Sequence, residues 1–134
     1  MLPSSLKTST RVSSRSPARK LVACFNEDEA SGALQLALIP ATGGDPVKLF
    51  ALPATVALRA GLHWTTDGRA LRYVDTRGGV SNIWQQAVAG GAPRQLTNFT
   101  TNKIFRLAWL RDDKQLVFER GTEINDATLV SDFK

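Results

Sequence analysis

His63 and Cys24 are the only histidine and the only cysteine of the chain, and between them they bound its chemistry. A Ser/His/Asp set needs an imidazole held against a nucleophile. Serines are plentiful, but no Gly-x-Ser-x-Gly elbow presents one, and His63 sits beside Trp64 on an expected inner strand. Phosphoryl transfer lacks its parts: there is no glycine-rich loop followed by a lysine, no His-Arg-Asp and no Asp-Phe-Gly. One histidine and one cysteine cannot supply a zinc site. Asn26-Glu27-Asp28-Glu29 sets three acids side by side. Calcium loops space their ligands at alternate positions, so this stretch reads as a solvated loop between strands. Cys24 lies in the apolar run Leu21-Val22-Ala23-Cys24-Phe25 and reads as a small buried hydrophobe, with no internal disulfide partner and no cation in the run to activate the thiol. No catalytic, cofactor-binding or metal-ligating residue is assigned, no cofactor is expected, and the chain is not expected to be an enzyme.

Length and charge narrow the remaining classes. The chain has 134 residues, the size of one domain, and 43% of them are hydrophobic, as in a globular protein. Its longest apolar-leaning run, 33–40, falls far short of the roughly 18 residues that cross a bilayer. The net charge of +5 invites a nucleic-acid reading, but residues 1–20 carry five basic groups and no acid, while the remaining residues balance twelve against twelve. A basic Ser/Thr-rich leader without periodicity is not a folded phosphate-binding face, and no nucleic-acid partner is expected. The leader has no apolar core of a secretory signal and only loosely matches a transit peptide, so the chain is cytoplasmic by default. Asn98-Phe99-Thr100 is a glycosylation sequon, which matters only in a secretory pathway.

The positioning elements announce themselves by repetition. Trp64-Thr65-Thr66-Asp67-Gly68-Arg69-Ala70-Leu71-Arg72-Tyr73 is echoed by Trp109-Leu110-Arg111-Asp112-Asp113-Lys114-Gln115-Leu116-Val117-Phe118, and Gly43-Gly44-Asp45-Pro46 by Gly90-Gly91-Ala92-Pro93. A period of about 40 to 50 residues made of strands and turns is that of β-propeller blades, four strands each. One blade reads as complete over 60–98: a first strand at Gly61-Leu62-His63-Trp64, a tight hairpin turn at Asp67-Gly68, a second strand at 71–75, a loop over 76–81, a third strand at 82–88, and a fourth after Gly90-Gly91. The preceding blade, 20–55, has strands at about 21–25, 33–40 and 47–52. Its innermost strand would fall in the leader, 1–19, which is expected to be disordered. The following blade, 103–134, has strands near 104–109, 115–120 and 126–131 and lacks its outermost strand. The expected fold is therefore all-β: a partial propeller of about two and a half antiparallel blades.

These residues resemble the TolB-type, WD40-like propeller repeat of bacteria, whose blades carry Trp-Ser-Pro-Asp-Gly-Lys, then Asn-Ile-Trp, then Gly-Gly-x-Pro-x-x-Leu-Thr. Trp64, Asp67, Gly68 and Arg69 match the first element, Asn82-Ile83-Trp84 the second, and Gly90 to Thr97 the third. Tyr73 to Trp84 and the terminal Leu129-Val130-Ser131-Asp132-Phe133-Lys134 are further similar to the C-terminal end of large bacterial serine/threonine protein kinases, where a propeller follows the kinase domain. That resemblance covers about residues 20–134 and implies that Lys134 is an authentic C-terminus and that the gene start is truncated or frame-shifted. Two departures stand out. Asp113 replaces the turn glycine of the last blade, which predicts a weaker hairpin there, and Ser16-Pro17-Ala18-Arg19 keeps Ser-Pro but loses Asp-Gly.

Propellers need at least about four blades to cover the apolar faces between neighbours, so open edges and faces predict self-association of what is read as a fragment. Loops at 26–32, 53–60, 75–81, 97–103 and 121–125 should gather on one face around the channel, where a protein or a small ligand would bind. Asp75, Arg77, Lys103 and Arg106 are the polar residues to test first, although turn hydrogen bonding explains Asp75 equally well. Trp64, Trp84 and Trp109 read as packing between blades, with an aromatic binding platform as the alternative. The function this implies is a non-catalytic binding or sensor module, resembling the propeller of a receptor-type serine/threonine kinase. The alternatives are a propeller piece of a prolyl oligopeptidase-type peptidase and a TolB-like envelope protein.

Overall fold

A computed structural model describes the backbone of residues 13–18, 20–109, 115–121 and 126–131, and the side chains of 16–18 and 20–104. Three antiparallel sheets follow one another along the chain. The first holds β1 (Ser13–Arg15), β2 (Leu21–Glu27), β3 (Leu34–Pro40) and β4 (Lys48–Ala51). The second holds β5 (His63–Trp64), β6 (Ala70–Arg77), β7 (Val80–Ala87) and β8 (Arg94–Gln95), and the third β9 (Lys103–Trp109), β10 (Gln115–Gly121) and β11 (Asp126–Ser131). Within each sheet every strand pairs with its neighbour in sequence, the meander of a propeller blade. The only helical turn among the described residues is a 3₁₀ turn at Leu58–Ala60, between the first two sheets.

The two tryptophans that head the repeat occupy one register position: Trp64 stands opposite Leu71, and Trp109 opposite Leu116. The first sheet also obeys this register, with Arg15 opposite Val22, and there the structure corrects the sequence reading. Its innermost strand is present, made by Ser13-Ser14-Arg15 within the segment assigned to a disordered leader. Strand pairing is carried by backbone N–H and C=O groups, so a short inner strand needs no apolar run. The turn that follows gives Ser16 a structural role. Ser16 N–H donates to Leu21 O at 2.9 Å and Ser16 Oγ accepts from Leu21 N–H at 3.2 Å. In the second sheet Thr65 does the same with Ala70, at 2.9 and 3.1 Å. Residues 1–12 and the Asp113 hairpin lie outside the described residues.

Two turns also differ from expectation. Asp67-Gly68 is not a two-residue hairpin: the strands are joined by 65–69, Asp67 Oδ1 accepts from Thr65 Oγ1 and Arg69 N–H at 2.6 and 2.9 Å, and only Gly68 has positive φ, at 71°. The tight turn falls instead where a loop was expected, at Gly78-Gly79, with φ of 57° and 80° and Arg77 paired to Val80. Positive φ at both central residues is what a type I′ turn requires, and its twist matches that of the strands.

The sheets pack face to face. Ala23, Phe25, Leu36 and Leu38 of the first meet Leu71 and Tyr73 of the second in one buried cluster, with Leu52, Val56 and Leu62 of the connection. Trp64 and Trp84 pack against it, as inter-blade packing predicts. A second cluster, Ala60, Val74, Ile83 and Ile104, joins the second sheet to the third. The crossing between those two sheets is tied by one side chain. Asn82 Oδ1 accepts from Thr97 Oγ1 at 2.8 Å and from Phe99 N–H at 2.7 Å, its Nδ2 donates to Phe99 O at 3.2 Å, and Thr97 Oγ1 accepts from Ile83 N–H at 3.0 Å. The Asn-Ile-Trp and Leu-Thr elements are therefore two halves of a single clamp. Truncating Asn82 to Ala removes three bonds and is expected to cost about 2 kcal/mol. Phe25→Ala, which opens a void at the seam, should cost about 3–5 kcal/mol in urea denaturation.

Candidate functional site

One end of the blades gathers the connection at 53–60, the Gly78-Gly79 hairpin and the approach to β9. Here a cleft of about 450 Å³ opens between the second and third sheets, lined by Ala57, Leu58, Arg59, Ala60, Thr76, Lys103 and Ile104. Its floor is aliphatic and its polar groups are the Thr76 hydroxyl and the side chains of Arg59 and Lys103, both exposed residues. Neither cation has an acidic partner in an ion pair among the described residues. Ser81 N–H donates to Asn102 O at 3.0 Å, and Asn102 takes positive φ, at 73°, so the turn into Lys103 is held to the second sheet. A smaller cleft of about 390 Å³ occupies the same place between the first and second sheets, with Glu27 where the other has cations.

The four residues singled out from sequence separate. Lys103 lines the cleft. Asp75 does not: it is buried, and its carboxylate accepts from Thr55 Oγ1 at 2.5 Å and from Arg77 Nε at 2.7 Å. That fastens the 53–60 connection to β6, where Val56 bridges Asp75, through a long-range bond rather than the turn bonding that its sequence position suggested. Arg77, 62% exposed, pairs with Asp75 and lays its guanidinium 5.4 Å from the Trp84 ring centre. Arg106 falls within β9, and its side chain lies outside the described residues, as does the loop at 122–125. Arg59 and Thr76 were missed. Leu58-Arg59-Ala60 carries no motif, and only the 3₁₀ turn places it beside Lys103.

The titratable groups elsewhere are held by structure. Asp28 Oδ2 accepts from Ser31 N–H and Oγ at 3.0 and 2.7 Å, closing the acidic loop on itself. His63 hydrogen-bonds Ala60 O at 3.0 Å, and burial, more than this bond opposes, lowers its pKa. Burial pushes the Cys24 thiol up to about 11, far from a reactive thiolate. Burial, helped by the Asp75 charge, pushes Tyr73 up to about 12.

No family model matches the sequence, and no curated protein matches it. Among solved structures the chain is similar to a putative TolB from Agrobacterium tumefaciens, with a TM-score of 0.64 at 23% identity over 83% of this chain and 38% of that one. It is similar to TolB from Acinetobacter baumannii, with a TM-score of 0.60 at 17% identity over 93% and 29%. The β-propeller domain of the Trilobed protease from Pyrococcus furiosus gives 0.56 at 12% identity over 82% and 34%. What is shared at these identities is the fold: consecutive blades of a β-propeller. The chain spans about two fifths or less of the length of each of these structures.

Two outcomes test this account. Because the unfolded chain ionises Cys24 and Tyr73 first, it loses protons before the folded chain does, and stability should fall as pH climbs from about 9 to about 12. Tyr73→Phe should flatten the upper part of that decline in urea titrations. Asp75→Ala, which removes the charge-assisted bonds from Thr55 and Arg77, should cost about 1–3 kcal/mol.

Proposed function

We propose that this chain is a non-catalytic binding module whose site is the cleft between the second and third blades. The observation that carries this reading is that Arg59 and Lys103 both line an aliphatic floor, while Asp75 and Arg77, singled out nearby, are engaged with each other and Asp75 with Thr55. Such a cleft suits a small ligand or peptide end with a carboxylate beside an apolar body. The cations and Thr76 bind the anion, and Ala57, Leu58, Ala60 and Ile104 take the hydrocarbon. The resemblance of Tyr73 to Trp84 to a kinase propeller supports a sensor role, in which ligand captured by the blades is reported to a distant catalytic domain.

A second reading, a propeller that screens substrates for a peptidase, is favoured by the likeness to the protease propeller domain. The neighbouring reading frames separate the two: a kinase frame upstream supports the first, a hydrolase frame downstream the second. The cleft itself is tested with N-acetyl-leucine as the probe. Amide signals of Thr76 and Ile104 should shift on titration, N-acetyl-leucinamide should bind about tenfold more weakly, and Arg59→Ala should lose a similar factor. Equal binding of acid and amide would remove the anion from the proposal.

A further inference from the structure

The repeat builds one cleft twice and lines the two copies with opposite charge. Arg15 pairs with Val22 as Trp64 pairs with Leu71, so Glu27 at the end of β2 and Thr76 near the end of β6 hold the same register position in successive sheets. Thr76 lines the cleft between the second and third sheets, and Glu27 the one of about 390 Å³ between the first and second. Where the later cleft has Arg59 and Lys103, the earlier one has a carboxylate.

Local bonding gives the earlier cleft a firm wall. Glu27 stands opposite Leu34 on β3, and Leu52 N–H donates to Leu34 O at 3.0 Å, so the carboxylate and two aliphatic side chains share one row across the sheet. Val56 and Leu58 of the connection complete an aliphatic floor like that of the cationic cleft. The loop behind Glu27 is closed on itself: Asp28 N–H donates to Ala33 O at 2.8 Å, and Gly32 N–H to Asp28 O at 2.7 Å. Gly32 takes φ of 73°, and a Cβ there would stand 3.9 Å from Glu27 Oε1, so the loop passes the carboxylate without a side chain. Glu27 is exposed, and a carboxylate accepts from several donors at once. The two clefts adjoin: Leu58, half-buried on the 3₁₀ turn, lines both, and Arg59 follows it.

We propose that the two clefts are the two ends of one site for a short peptide with both termini free. Its ammonium pairs with Glu27, its carboxylate with Arg59 and Lys103, and its apolar side chains lie on the aliphatic floors either side of Leu58. This rests on the anion site proposed above and adds the second end to it. Charge complementarity selects the occupant: an anion with an apolar body uses one cleft and an amine the other, whereas a zwitterionic chain uses both. It also sets the direction, amino end towards the first blade and carboxyl end towards the third, because the reverse brings like charges together.

Titration of the full chain with unblocked leucine–alanine peptides of increasing length, each beside its N-acetyl form, tests this. At the length that spans Leu58, the free peptide should bind about fivefold more tightly than its N-acetyl form, the scale of one solvent-exposed ion pair. Amide signals of Leu34 and Val56 should then shift together with those of Thr76 and Ile104. Glu27→Gln, at an exposed position, should abolish the preference for the free amine and leave binding of the N-acetyl peptide unchanged. Equal binding of free and N-acetyl peptides at every length overturns the proposal, as do shifts confined to Thr76 and Ile104 or a preference that survives in Glu27→Gln. In each of those cases N-acetyl-leucine still reports on the anion site by itself, and its failure to bind would remove that site as well.

Discussion

The apolar seam between the first and second sheets is the interaction on which the remaining architecture depends. A blade of four short strands cannot shield its own two faces. Phe25, Leu36 and Leu38 are removed from water only because Leu71 and Tyr73 lie against them. Burying a side chain of this kind contributes about 1.5–3 kcal/mol, so each sheet is stable in proportion to the neighbour that covers it. This is the arithmetic of a repeat array, where stability is shared between unit and junction rather than gathered in one centre.

Polar chemistry is spent mainly on fixing how one sheet follows another. Asn82 and Thr97 bind the chain as it leaves the second sheet, and Asp75 binds Thr55 in the connection that enters it. Both devices use side chains that could have served as ligands, and both leave little free acceptor capacity. The cleft beside these clamps is built differently: its cations are exposed and its floor is aliphatic.

Much of this was legible in the residues. The strands of the second and third sheets fall close to where alternation and turn residues put them, and the Gly-Gly pairs at 43–44 and 90–91 take positive φ in both sheets, as a repeated turn demands. Reading failed where side-chain character is a poor guide. Ser13-Ser14-Arg15 pairs through its backbone although nothing in its composition suggests a strand, and Gly78-Gly79 makes a tighter turn than its surroundings imply. Of the candidate site, Lys103 was found and Arg59 was not.

Sequence alone determined the period and the order of the strands within the repeat, because those are local properties of spacing and turn chemistry. The fate of each polar group was decided only in three dimensions. Whether a carboxylate is consumed, as Asp75 is, or a cation is left facing a cleft, as Lys103 is, depends on which sheet arrives opposite it. That is a matter of packing between segments distant in the chain, and spacing carries no record of it.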